Sequence, residues 1–186
     1  GAGDQYTRTE RLTVPREISG EFELTIRTDL NQEVYEAQAT GNNSATLPTP
    51  LTVVVQPRPD LAITDVIMPD QVVSGGTLSV DFVVTNQGSL ATNTPNWRDR
   101  VYLSLDGSVT RDDILIGELG NESALDPGQS YRSSTSSITV PLRYRGEMFV
   151  LVVTDVDHDV DEWPGEENNL ATQPIYVDPV PFADLV

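Results

Sequence analysis

The densest run of chemically capable side chains is Asp155-Val156-Asp157-His158-Asp159-Val160-Asp161-Glu162, with Glu166-Glu167 just beyond. Alternating carboxylates place several hard oxygen donors in one short segment. That is the donor type Ca²⁺ takes, in sets of about six to eight oxygens. Asp155, Asp157, Asp159, Asp161 and Glu162 are therefore candidate calcium ligands. The run also reads as a solvated acidic turn in an acidic protein. It lacks the glycine of an EF-hand loop, so it is not that motif. The matching segment Asp29 to Glu36 retains fewer ligands. A second acidic turn, running from Asp106-Gly107 to Asp112-Asp113, offers Asp106, Asp112 and Asp113 as metal ligands. Asp-Gly alone, however, predicts a tight turn there.

Other chemistries lack their parts. The 186 residues contain 29 Asp and Glu against 11 Lys and Arg, a net charge of −18, and no Cys. All the basic residues are Arg. Disulfides, thiolate catalysis, lysine Schiff bases and isopeptide crosslinks are thus excluded. The single histidine, His158, leaves a Ser–His or Cys–His device without spare members. These absences argue against an enzyme. The charge argues against nucleic acid and anionic membrane surfaces, both of which need a basic footprint. The longest apolar run, Met148 to Val153, is six residues, far below the roughly 20 that span a bilayer.

Two weaker candidates remain. Trp97 and Trp163 could form a stacking platform for sugars, or plug the end of a sandwich. Asn42-Asn43 and Asn168-Asn169 precede the last strand of each repeat, where their amides are expected to satisfy backbone groups of a long turn.

The strongest organising signal is internal repetition. Residues 13–46 align on 139–172 at a shift of 126 without a gap, with 13 identities in 34 positions. Thr28-Asp29 falls on Thr154-Asp155, Glu36 on Glu162, and Asn42-Asn43 on Asn168-Asn169. Residues 60–180 then read as one complete unit. Residues 1–56 read as the C-terminal half of a preceding unit, 57–59 as a proline-rich joint, and 181–186 as the start of a following unit. Alone, 1–56 is expected to leave an open sheet edge and an unfilled apolar face.

The periodicity within the complete unit is that of strands. Leu78, Val80, Phe82 and Val84 alternate with more polar neighbours, as do Val101, Leu103 and Leu105. Turn signals such as Ser74-Gly75-Gly76, Asn86-Gln87-Gly88 and Asp126-Pro127-Gly128 separate the runs. No clean helical stripe occurs. The expected fold is all-β, an antiparallel immunoglobulin-like β-sandwich. That topology places the loop 155–168 beside the joint at Pro57–Pro59, with Arg58 and Arg98 available to bridge its acids, and the loop from Asp106 at the opposite pole. In the strand at about 147–154, Met148, Val150 and Val152 point inward, and the outward Phe149, Leu151 and Val153 form a candidate interface patch.

Asp60-Leu61, Gly75-Gly76, Thr85-Asn86-Gln87-Gly88, Val101-Tyr102-Leu103-Ser104, Leu125-Asp126-Pro127-Gly128, and Glu162 followed by Asn168-Asn169 together resemble the CARDB family, the cell-adhesion-related domain found in bacteria. The resemblance implies tandem immunoglobulin-like repeats of large secreted or surface proteins, without catalytic residues. Two functions follow as expectations. One is a spacer or adhesive segment of an extracellular fibre or cell-surface protein, rigidified by calcium and partnered by neighbouring repeats or by self-association. The other is a carbohydrate- or ligand-binding module attached to a secreted enzyme.

Overall fold

The structure is a computed structural model and describes residues 4–16, 18–37, 40–162 and 165–180. Trp163 and residues 181–186, for which a platform and a following repeat were expected, lie outside the described residues. The described residues form strands and short 3-10 turns with no α-helix, as the two-residue periodicity predicts. The chain divides into two units, Gly1–Gln56 and Pro57–Val186.

Among the described residues the first unit holds four short strands, β1 (Gly20–Phe22), β2 (Thr25–Arg27), β3 (Ser44–Thr46) and β4 (Leu51–Val53). They pair antiparallel as β1 with β4 and β2 with β3. Several of its apolar side chains stay wet, Ile26 at 57% and Leu51 at 46% exposed, while Leu24 and Val53 are half-buried.

The second unit is a two-layer sandwich of β5 (Leu61–Ile67), β6 (Gln71–Val73), β7 (Thr77–Asn86), β8 (Trp97–Ser104), β9 (Ile114–Asn121), β10 (Ser130–Thr139), β11 (Gly146–Val153) and β12 (Leu170–Asp178). One sheet runs β10-β7-β5 and the other β6-β12-β11-β8-β9. All pairs are antiparallel except β6 with β12, which is parallel. Thus the first edge of the chain, β5 then β6, passes from one sheet to the other.

Between the layers lie Leu78, Val80, Phe82 and Val84 from β7, Val101 and Leu103 from β8, Met148, Val150 and Val152 from β11, and Ile175 and Val177 from β12. These are the alternate positions read from the sequence, because successive strand side chains point to opposite faces. Leu105 departs from the series: it falls beyond the end of β8 and is 71% exposed.

The outward face of β11 also departs from expectation. Leu151 has no exposed surface and Phe149 and Val153 are half-buried, so the three do not form an open patch. Leu151 is paired with Tyr102 of β8 and Thr172 of β12. The loop between β8 and β9 folds back over this face, bringing Gly107 so near Thr172 that an added methyl would meet its Cγ2 at 3.7 Å.

Candidate functional site

The pole where β5 begins and β11 ends gathers most of the residues singled out in the sequence. Asn86, at the end of β7, is fully buried. Its Oδ1 accepts from the Asp60 and Gly88 amides, each at 3.0 Å. Its Nδ2 donates to the carbonyls of Leu90 at 2.8 Å and Leu125 at 3.0 Å. Every hydrogen-bonding site of the amide that matters in a buried position is used. Gly88 follows because the chain passes hard against the joint: a Cβ there would sit 2.3 Å from the Arg58 carbonyl oxygen. That same carbonyl accepts from the amides of Ser89 at 2.9 Å and Leu90 at 3.2 Å.

From the other side, the acidic loop after β11 grips the same segment. The Leu61 amide donates to Glu162 Oε2 at 2.8 Å. Asn168 Nδ2 donates to Asp60 Oδ1 at 2.9 Å. Arg58 forms an ion pair with Asp161. Arg98 pairs with Asp157, Nε to Oδ2 at 2.7 Å. Both arginines named as possible bridges therefore bridge, each to a different carboxylate.

The loop itself is built around Asp155, which adopts φ +45°. A short polar side chain tolerates this left-handed region better than most because it can hydrogen-bond locally. Its Oδ1 accepts from the Asp159 amide at 2.9 Å and its Oδ2 from the Val160 amide at 3.0 Å. The His158 amide donates to the Asp155 carbonyl at 3.0 Å. The first unit repeats this geometry. Asp29 has φ +47°, accepts from the Glu33 amide at 2.7 Å, and its carbonyl takes the Gln32 amide at 3.0 Å.

The alternating acids therefore do not converge as the calcium reading expected. Asp155 caps backbone amides, Asp157 and Asp161 face separate arginines, Glu162 turns inward and Asp159 is exposed. The loop turns at Asp155 and His158, both at positive φ, and the turn rather than an even alternation sends the carboxylates to different partners, which is why even spacing failed to make a cradle. Among the described residues no three acidic or histidine side chains are placed to hold a metal ion, and this rim donor set does not fit Ca²⁺. The second candidate is a pair of turns: Asp106 Oδ1 accepts from the Ser108 amide at 2.9 Å, Asp113 Oδ2 from Thr110, and the Asp112 amide donates to Thr110 Oγ1. The loop carrying them does not stay at the opposite pole. Its Val109 lines a depression of about 230 Å³ together with Tyr102, Val153, Asp155, His158 and Leu170.

Glu162 is the chemically unusual member. It is 1% exposed, and burial pushes its carboxyl up to about 8, with Glu166, Asp155 and Asp60 adding to the rise and the Leu61 amide opposing it. The repeated asparagines also differ from expectation: Asn168 and Asn169 give their amide hydrogens to the carboxylates of Asp60 and Glu166 rather than to backbone.

Sequence reasoning missed a second buried network behind this pole. Asp99, fully buried in β8, accepts from Tyr131 Oη, from Thr154 Oγ1 at 2.8 Å and from the Asp155 amide at 3.3 Å. Trp97 Nε1 donates to Tyr131 Oη at 3.1 Å. Burial raises the Asp99 carboxyl above its ordinary range, and burial together with Asp99 raises Tyr131. Trp97, 2% exposed, is thus a core plug and not a platform. The alternation Trp97, Asp99, Val101 put Asp99 on the inward face, and that was the available signal.

The comparisons join this geometry to a family. The CARDB pattern matches residues 58–173. The chain belongs to the CARDB family. Among solved structures it is similar to the CARDB domain of the PF1109 protein from Pyrococcus furiosus, crystallised in complex with di-metal ions, at 22% identity and TM-score 0.50 over 64% of this chain and 89% of that one. The solution structure of the PF1109 CARDB domain matches at 24% identity and TM-score 0.49, covering 66% and 98%. A domain of a Methanosarcina acetivorans protein assigned to the cell surface matches at 21% identity and TM-score 0.44, covering 64% and 92%. No curated protein matches the chain. In this CARDB domain, Asn86 on one side and Glu162 with Asn168 on the other hold the start of β5.

Proposed function

We propose that this chain is a non-catalytic spacer or adhesive segment of tandem CARDB repeats in an extracellular or cell-surface protein. In this reading residues 1–56 are the C-terminal half of one repeat, 57–59 the joint, and 60–180 the next repeat. The observation that carries it is the register of the two hairpins. Thr25, Ile26 and Arg27 pair with Thr46, Ala45 and Ser44. Leu151, Val152 and Val153, their matches at a shift of 126, pair with Thr172, Ala171 and Leu170, which are the matches of 46, 45 and 44. The Thr28 amide donates to the Asn43 carbonyl at 2.8 Å, as Thr154 does to Asn169 at 2.9 Å. One hairpin and one loop recur, which is what a repeated structural unit requires.

The fastening of Arg58 to Leu61 supports the mechanical half of the proposal. A segment held by Asn86, Gly88, Glu162 and Asp161 cannot slide as a free tether when the chain is pulled. Single-molecule pulling on a concatemer of this chain tests the reading. Resolved unfolding peaks spaced by the length of residues 60–180 support it. Micromolar binding of a polysaccharide with no mechanical resistance would favour the appended binding module instead.

A further inference from the structure

The inner side of the joint pole holds three buried side-chain oxygens without a hydrogen-bond partner: Glu162 Oε1, Asn168 Oδ1 and Asn169 Oδ1. Glu162 and Asn169 are 1% and 5% exposed. Their remaining polar atoms are committed, Glu162 Oε2 to Leu61, Asn168 Nδ2 to Asp60 and Asn169 Nδ2 to Glu166. These bonds hold each side chain in place through one N–H of each amide and leave the three oxygens without a donor. The charge around them has one sign. Asp60 and Glu166, which accept from the amides of Asn168 and Asn169, are both carboxylates. The nearby basic side chains face elsewhere, Arg58 to Asp161, Arg98 to Asp157, and His158 to Glu166. A buried carboxylate oxygen with no donor is expensive unless something positive meets it. The feature is not an accident of one side chain, because Glu36, matched to Glu162 in the first unit, also carries a buried unpartnered oxygen, Oε2.

We propose that this inner pole is a hard-cation site, best matched to Ca²⁺, with Glu162 Oε1 and the side-chain oxygens of Asn168 and Asn169 as ligands beside the Asp60 carboxylate. Ca²⁺ accepts carboxylate and neutral amide oxygens together in flexible geometry, whereas Mg²⁺ demands a stricter octahedron. The site is separate from the rim carboxylates Asp157, Asp159 and Asp161, and it stands whether or not the chain is a spacer. Its position gives the ion a structural task. It would tie the end of the acidic loop to Asp60 and Leu61, at the entry of β5.

Thermal melts and isothermal titration of the full 186-residue chain with CaCl₂, MgCl₂ or chelator test the site. Ca²⁺ at about 100-fold over Kd should raise Tm by roughly 5–10 °C, with a smaller effect of Mg²⁺. Glu162→Gln keeps an acceptor for the Leu61 amide and removes the charge, so it should weaken Ca²⁺ at least about tenfold, because ligand charge tunes affinity. Asn168→Asp should melt lower than the parent in chelator and gain more from Ca²⁺. Asp159→Asn, at the rim, should respond as the parent does. Absence of any Ca²⁺ shift in the parent overturns the proposal, as does a shift that survives Glu162→Gln and disappears in Asp159→Asn. A Glu162→Gln chain that outlasts the parent in both chelator and Ca²⁺ overturns it too, since a proton would then be what the carboxyl holds.

Discussion

The Leu61 amide and the Glu162 carboxylate, 101 residues apart in the chain, meet at 2.8 Å. This bond ties the first residue of β5 to the loop between β11 and β12. Replacing Glu162 by Ala removes the acceptor and leaves a buried N–H without a partner, which costs about 1–3 kcal/mol. Urea unfolding should show that loss with an unchanged m-value. Hydrogen exchange should locate it at Leu61, and a loss spread evenly over the core would contradict the assignment.

Asn86 and Gly88 hold the same strand entry from the other side. Asn86→Ala strands the donors and acceptors of four contacts and should cost on the order of 3–5 kcal/mol. Gly88→Ala pushes a methyl into the Arg58 carbonyl, so the joint must move. Its signature is changed amide shifts at residues 58–61 by NMR, without loss of the Phe82 core signals.

Tyr131→Phe removes one donor from buried Asp99 and the acceptor for Trp97 Nε1, at about 1–3 kcal/mol. The pH dependence has a definite sign. Burial raises Asp99 in the folded state above its value of 3.8. The unfolded chain therefore releases this proton first, and stability falls as pH rises from about that value through the folded one. Asp99→Asn should remove this part of the slope in melts run across that acid range; an unaltered slope would mean the carboxyl titrates normally.

Leu151→Arg separates a covered strand from an interface. With no exposed surface at Leu151, a guanidinium there must be buried or break the sheet, so the variant should fail to fold. Leu151→Ala should fold with a loss of about 2–5 kcal/mol. A folded Leu151→Arg protein of altered oligomeric state, seen by light scattering, would restore the open patch.

Arg58→Ala and Arg98→Ala should have unequal, small effects. Exposed ion pairs contribute about 0.2–1 kcal/mol and fade with salt. The Arg98 side chain is 49% exposed, while that of Arg58 is 16% exposed. Arg58→Ala should therefore cost more, and its loss should persist in high salt. Equal losses that vanish in salt would reduce both to surface pairs.

Local pattern carried the strands, the repeat and the core face of β7, β8, β11 and β12, because a side-chain period of two and the spacing of turn residues are properties of the chain itself. It also placed the acidic loop beside Arg58 and Arg98, since strand order confines that loop to one pole. What it could not decide was where each carboxylate points. Asp155, Asp157, Asp161 and Glu162 look equivalent in the sequence, yet one caps amides of its own loop, two face arginines and one reaches the Leu61 amide. Those assignments depend on left-handed backbone at Asp155 and His158 and on partners up to 101 residues away. Leu151 carries the same lesson: an outward position on a strand is wet or dry according to which strands and loop flank it, and only the folded sheet brings Tyr102, Thr172 and the Gly107 loop to its sides.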